Sequence, residues 1–309
     1  TMLHQCIDES VKVLETMYKE IDFNDREMDD ARNEFEEAAG EEKDCVECLL
    51  DAMGYVIRYT SVQIQPLFAE KLLPSCQQAM QSSFEYIQFT GVCTMDDMLL
   101  YASPIMNEFV PPMMNYFSQH MNCEDPALRQ AVLYGIKIIV EKFPAIIGGQ
   151  VKDILTALMN VIKSDQALDE DYACSTDNAV SAVLSILVNF REAISPREWN
   201  TGMKFILDYL PMQEDVAEAQ TVHELLVNEL MKPNHGIFNS SNLLEPVMHL
   251  LPLLLLPTYD DGDNEYEVVY PETKSAIVNI LKSIPSNQLQ QLIGSLEPEV
   301  KSAIMSAMQ

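Results

Sequence analysis

Asp125-Pro126-Ala127-Leu128-Arg129-Gln130-Ala131-Val132-Leu133-Tyr134-Gly135-Ile136 is the stretch that decides the fold. Leu128, Val132, Gly135, Ile136, Ile139, Val140 and Phe143 recur at i, i+4, i+7, i+8, i+11, i+12 and i+15, which is one broad apolar face of a helix over 127–143. Glu124, Asp125 and Pro126 stand where a helix N-terminus accepts an acid and a proline, with Arg129 and Gln130 turned outward.

The same design continues on both sides. Ahead lies an apolar segment over 105–121, interrupted by Pro111-Pro112, and behind lies another over 146–162 with Leu155, Leu158, Met159 and Ile162 in register. Helices of about seventeen residues joined by connections of about four force antiparallel neighbours, so the unit is a helical hairpin. Leu72-Leu73-Pro74, Phe109-Val110-Pro111, Tyr209-Leu210-Pro211 and Leu250-Leu251-Pro252 place prolines 37 and 41 residues apart within each neighbouring pair. Helical repeat arrays have periods of roughly 40 to 47 residues.

Further helices are expected over 178–190, behind a long polar loop at 163–176, and over 214–231, 243–256, 271–284 and 297–308. In 214–231, Val216, Ala219, Val222, Leu226 and Leu230 form the stripe, and Glu214, Asp215, Glu218 and Glu229 lie off it. The expected architecture is all-α, a helical-repeat solenoid. Residues 48–309 form an array of roughly six hairpins closed by a short cap helix. Residues 1–47 stand apart, since Asp8 to Glu47 holds sixteen acids and five bases; they read as an acidic helical segment or insertion.

Composition agrees and narrows the chemistry. The chain is 48% hydrophobic and has ten glycines among 309 residues, too few for a sheet-rich protein that turns about every eight to twelve residues. Forty-eight acids against nineteen bases leave a net charge of −29, a field that repels phosphate backbones and anionic membranes, so neither nucleic acid nor membrane is an expected ligand. That field would attract basic proteins, or it simply keeps a large protein soluble; both readings stay open. Seven cysteines, an odd number, point to a reducing compartment, and the pair Cys45/Cys48 in a helical pattern reads as buried small hydrophobes. The most apolar stretch, 243–257, contains Glu245, Pro246, His249 and Pro252 and falls short of a membrane span. The opening residues read as helix rather than leader, as expected of a start inside a larger protein.

No convergent catalytic set is found. The histidines are scattered at positions 4, 120, 223, 235 and 249, and His223-Glu224 has no second histidine four residues on. Gly148-Gly149 has no Lys-Ser or Lys-Thr behind it, so a turn suffices. The acidic loop Asp260-Asp261-Gly262-Asp263-Asn264-Glu265 lacks the distal glutamate of a calcium loop and reads as solvated or as a contact for a basic partner. Neither enzyme activity, cofactor nor metal is expected, and most of the eighteen methionines read as core.

The 125–136 segment resembles the second helix of a HEAT repeat: an acid, a proline, an apolar residue followed by Arg, then small and apolar residues at helical spacing. Thr176-Asp177-Asn178-Ala179-Val180-Ser181-Ala182-Val183, Tyr209-Leu210-Pro211-Met212-Gln213-Glu214-Asp215 and Asn234-His235, in that order, resemble the C-terminal part of the importin-β (karyopherin-β) family. One subgroup of that family carries an acid-rich insertion where 1–47 stands. The resemblance implies a HEAT-repeat superhelical solenoid, an α-α superhelix. It also implies a nuclear import receptor that shuttles between cytoplasm and nucleus and wraps basic cargo such as localisation signals, ribosomal proteins or histones. Ran-GTP and Phe-Gly nucleoporins would be met mainly by repeats outside this chain. Asp125 and Arg129 match structural ladder positions of the repeat. Second helices line the concave face, which would turn Asp177, Glu214, Asp215 and Glu218 toward cargo, with Asp260, Asp261 and Asp263 available to a basic partner. A HEAT scaffold or assembly adaptor without a transport role is the alternative.

Overall fold

The computed structural model describes residues 12, 16, 40, 48, 52–59, 65–212, 214–233, 236–237, 240–256, 259–260 and 265–308. The acidic segment expected over 1–47, apart from three isolated helical positions, and the Asn234-His235 pair lie outside the described residues. So does Cys45; Cys48 is exposed and free, not the buried hydrophobe expected of it.

The chain divides into two compact units, Thr1–Ile146 and Ile147–Gln309. In the first, a helical run at 52–59 precedes α1 (Gln65–Lys71), α2 (Leu73–Ala79), α3 (Glu85–Tyr101), α4 (Ser103–Met106), α5 (Val110–His120) and α6 (Pro126–Lys142). The start signals and apolar stripe of α6 act as read, but Arg129, expected to turn outward, is buried. The Asp125 carboxylate accepts from the Leu128 amide at 2.7 Å, Pro126 opens the helix, and Leu128, Val132, Ile136, Ile139 and Val140 are buried. The segment expected over 105–121, interrupted by Pro111-Pro112, is divided between α4 and α5. Prolines 111 and 112 fit only the first turn of a helix, where no amide hydrogen is needed. The pairs α2/α3 and α5/α6 pack as hairpins, and α3 packs against α6.

A four-residue helix, α7 (Pro144–Ile147), falls at the division. The second unit continues with α8 (Val151–Ile162), α9 (Ala173–Asn189), a 3-10 turn at Arg191–Ala193, α10 (Pro196–Tyr209), α11 (Val216–Leu230) and α12 (Ser241–Leu253). A two-residue antiparallel ladder follows, β1 (Tyr259–Asp260) with β2 (Glu265–Tyr266), then α13 (Pro271–Ser283), α14 (Ser286–Ser295) and α15 (Pro298–Ala307). Helix α9 packs on α8, α10 and α11; α11 packs on α13; α10 packs on α12, and α15 on α12. One layer therefore holds α10 and α12, the other α9, α11 and α13.

The first helices of successive pairs, α2, α5, α8, α10 and α12, begin at residues 73, 110, 151, 196 and 241, steps of 37, 41, 45 and 45. The repeat is present, but the prolines that suggested it are not equivalent. Pro74 and Pro111 open first helices, whereas Pro211 follows the end of α10 and Pro252 sits in the last turn of α12. Helix α9 begins at Ala173, five residues before the expected start, because Thr176, Asp177 and Asn178 are buried polar residues whose partners come from elsewhere in the fold. Helix α14, whose Leu289, Leu292 and Ile293 recur at i, i+3 and i+4, was not expected from the sequence.

Successive pairs are tied at their connections. Arg191, after α9, stacks its guanidinium 4.1 Å from the Trp199 ring centre and lies against Gly236, after α11, whose φ of 78° admits glycine and whose missing Cβ leaves room for the arginine. Near the starts of α10 and α12, Asn200 donates to Ser240 Oγ at 2.6 Å and Asn242 donates to Asn200 Oδ1 at 2.5 Å.

Candidate partner-binding surface

The four acids expected on the inner helices do converge, at the α9–α11 contact. The turn between α10 and α11 runs over the start of α9. There the Asp215 and Glu214 amides donate to Asp177 Oδ2 at 2.9 and 3.2 Å, and the Tyr209 hydroxyl donates to Asp177 Oδ1 at 3.1 Å. Asp215 in turn caps α11 by accepting from the Glu218 amide at 3.0 Å, and accepts from Asn178 Nδ2 at 3.0 Å. Ser181 Oγ donates to Glu218 Oε1.

Apart from the local Asp215 cap on α11, each of these bonds crosses from one repeat to the next. Asp177 is 1% exposed and Glu218 5%, so neither can face a cargo lysine; both correct the expectation that they line an open surface. Glu229, also expected off the apolar stripe, is buried too. The cause is that α11 is flanked by α9 on one side and α13 on the other, which buries its polar flanks as well as its apolar face. Asp215 is half-buried, and Glu214 alone of the four is exposed.

Burial dominates the electrostatics of the cluster. It pushes the Asp177 carboxyl up to about 6, against the two amide donors and the Tyr209 hydroxyl that favour the anion. The Tyr209 hydroxyl is pushed up by burial and then by the Asp177 charge. The Cys174 thiol is raised by burial and then by the charges of Asp215, Asp177 and Glu214.

One further group was not singled out by sequence reasoning. His223, on α11, is fully buried, with Nδ1 2.7 Å from the Val268 carbonyl and Nε2 accepting from the Met212 amide at 3.2 Å. Because the Met212 amide is a donor, Nε2 must be unprotonated and Nδ1 must carry the hydrogen. The ring thus ties the α10–α11 turn to the segment after β2. Gln220 adds a bond to the Glu267 carbonyl at 2.6 Å. No spacing in the sequence marks this role, since its partners lie 11 and 45 residues away.

Of the acidic loop, Asp260 pairs with Glu265 in the two-residue ladder, while Asp261 and Asp263 lie outside the described residues. The structural ladder residues are placed locally: Asp125 caps α6, and Arg129, 6% exposed, donates from Nε to the Cys123 carbonyl at 2.9 Å. A groove of about 540 Å3 lies between α10 and α12, lined by Leu207, Asp208, Pro246, His249, Leu250 and Leu253. Among the described residues no group of three or more His, Cys, Asp or Glu could hold a metal ion, and no helix is long and apolar enough to cross a membrane.

No protein-family model matches the chain. In sequence it is 25% identical over 232 residues to a Dictyostelium discoideum protein named "Probable importin-5 homolog", covering 70% of this chain and 20% of that protein. In structure it is similar to Kap121p, with a TM-score of 0.65 at 14% identity over 99% of this chain and 26% of Kap121p. Kap121p bound to RanGTP matches with a TM-score of 0.63 at 16% identity, over 89% of this chain and 24% of that one. The karyopherin Kap121p bound to the extreme C-terminus of the protein phosphatase Cdc14p matches with a TM-score of 0.60 at 15% identity, over 99% and 25%. The chain therefore spans 20% of the length of its sequence relative and 26% of Kap121p. The solved structures share its fold, an all-α HEAT-repeat array, and in sequence the chain is similar to an importin-5 homolog.

Proposed function

We propose that the chain is the C-terminal part of a nuclear import receptor that holds basic protein cargo and carries it through the nuclear pore under Ran-GTP control, shuttling between cytoplasm and nucleus. The kinship with an importin-5 homolog carries this reading, and the likeness to Kap121p structures bound to RanGTP and to a C-terminal protein segment supports it. In this proposal residues 1–47 form an acidic segment ahead of a repeat array over 48–309. Ran-GTP and Phe-Gly nucleoporins are met mainly by repeats outside the chain. The protein works by binding, with no catalytic step.

The net charge of −29 supports basic cargo, because opposite potentials speed encounter and fix register. The acids proposed to meet it are Glu214 and the loop acids Asp260, Asp261 and Asp263. Glu214 stands exposed just ahead of α11, and the base of the acidic loop is fastened to the same helix through Gln220 and His223. Asp177, Asp215 and Glu218 serve by holding that helix against α9.

The test uses the full-length receptor, a fluorescent lysine-rich localisation peptide and Ran loaded with GTP. Ran-GTP should release the peptide, and combining Glu214→Lys with Asp260→Lys, Asp261→Lys and Asp263→Lys should weaken binding by roughly tenfold and flatten its salt dependence. Peptide that stays bound in Ran-GTP would turn the reading toward a scaffold. Unchanged affinity in the lysine variant would place the cargo contact elsewhere.

A further inference from the structure

The first unit contains a buried acid that the proposed function does not use. Asp96 lies on α3, is 4% exposed, and neither of its carboxyl oxygens has a hydrogen-bond partner. That lack of a partner holds among the described residues; its Oδ1 occupies the space a Cβ on Gly135 of α6 would need, and the Phe117 ring of α5 closes the same space at 2.7 Å. The carboxyl is therefore clamped at the seam between two neighbouring second helices.

A carboxylate buried without a donor costs far more than a neutral acid in the same place. The groups around Asp96 do not relieve that cost. Helix α4 has no titratable residue, and α2 offers the Cys76 thiol, which burial pushes up to about 12. On α6, the Arg129 Nε donates to the Cys123 carbonyl and the Lys137 ammonium sits over the Tyr134 ring, while Glu141 and Lys142 are exposed at the far end of the helix. The charge that does act on Asp96 is that of Asp97, which reinforces burial in raising its carboxyl well above the usual range. The net charge of −29 works in the same direction.

We propose that the α3–α6 seam is a proton-controlled joint: closed while Asp96 is a neutral acid, it opens when the carboxyl ionises, because the anion can persist only with water between the two helices. A joint of this kind lets the angle between the two hairpins of the first unit vary at a single residue. In the second unit the buried acids of the α9–α11 seam, Asp177 and Glu218, instead accept from amide and hydroxyl donors.

Hydrogen–deuterium exchange on the full 309-residue chain tests it, followed from about pH 6 to pH 9 and normalised for the intrinsic exchange rate. In the wild type, amides of α3 and α6 should open more as pH rises, by roughly tenfold per pH unit once Asp96 titrates. In Asp96→Asn that pH dependence should vanish, and amides of α9 and α11 should not respond in either protein. Asp96→Leu, which removes the polar group, should fold with a raised melting temperature and show the same flat profile. A pH-independent wild type, an Asp96→Asn variant that follows the wild type, or failure of both variants to fold overturns the proposal.

Discussion

His223 and Asp177 are buried and both accept from amides of the turn that links α10 to α11, and burial moves their titrations in opposite directions. The His223 ring is held down to about 4, from 6.5, by burial and against the Val268 carbonyl that favours its protonated form. Between 6.5 and 4 the unfolded chain takes up a proton that the folded one refuses, so this contribution to stability is present above 6.5 and is lost as pH falls. Asp177 has the reverse sign. Its folded value of about 6 lies above the ordinary 3.8, so its contribution is present below 3.8 and is lost as pH rises through 6. Each is worth on the order of 3 kcal/mol, and between pH 4 and 6 the two oppose each other. Urea denaturation from pH 4 to 7 should show Asp177→Asn losing stability with acid more steeply than the wild type, and His223→Gln less steeply. Profiles for both variants that run parallel to the wild type would refute the assignment.

Among the helices, two glycines separate close approach from mere composition. Gly135 lies where α6 meets its neighbours, and a Cβ there would collide with Asp96 and with Phe117 ring carbons at 2.7 Å, a ring that is itself fully buried. Alanine improves helix propensity by about 1 kcal/mol, but overpacking a rigid core costs about 1–3 kcal/mol. Gly135→Ala should therefore destabilise by roughly 1–2 kcal/mol. Gly294, inside α14, has nothing within 4 Å of its would-be Cβ, so Gly294→Ala should stabilise by about 0.5–1 kcal/mol. Melting temperatures of the two variants decide the matter, and a shift of the same sign in both would contradict it. The sequence places Gly135 on the apolar face of its helix and Gly294 nowhere in particular. Only the packing tells which of them must stay a glycine.

For the chain as a whole, charge sets the terms. The excess of forty-eight acids over nineteen bases gives a net self-repulsion in any compact state, and salt screens that repulsion over a distance of about 10 Å at 0.1 M. Raising sodium chloride from about 0.02 to about 0.3 M should raise the melting temperature, while slowing the capture of a lysine-rich peptide by the full receptor. A melting temperature that falls over this range would mean that attractive ion pairs outweigh the net repulsion.

The sequence by itself determined the repeat architecture. Helical periodicity in 127–143, the Asp125-Pro126 start and the recurrence of apolar helices at short intervals are local signals, and the structure realises each of them close to where it was read. It also carried, in short ordered segments, a resemblance that agrees with the similarity to an importin-5 homolog. What it could not determine is which acids face outward. A residue's position off an apolar stripe says only that it lies on a helix flank. In an array, that flank is covered by the next repeat, so Asp177 and Glu218 are turned into internal ties by amides and a serine from residues 37 and 38 positions away. The tertiary structure alone decided this, because burial of a helix flank depends on the neighbour packed against it and not on the helix's own residues.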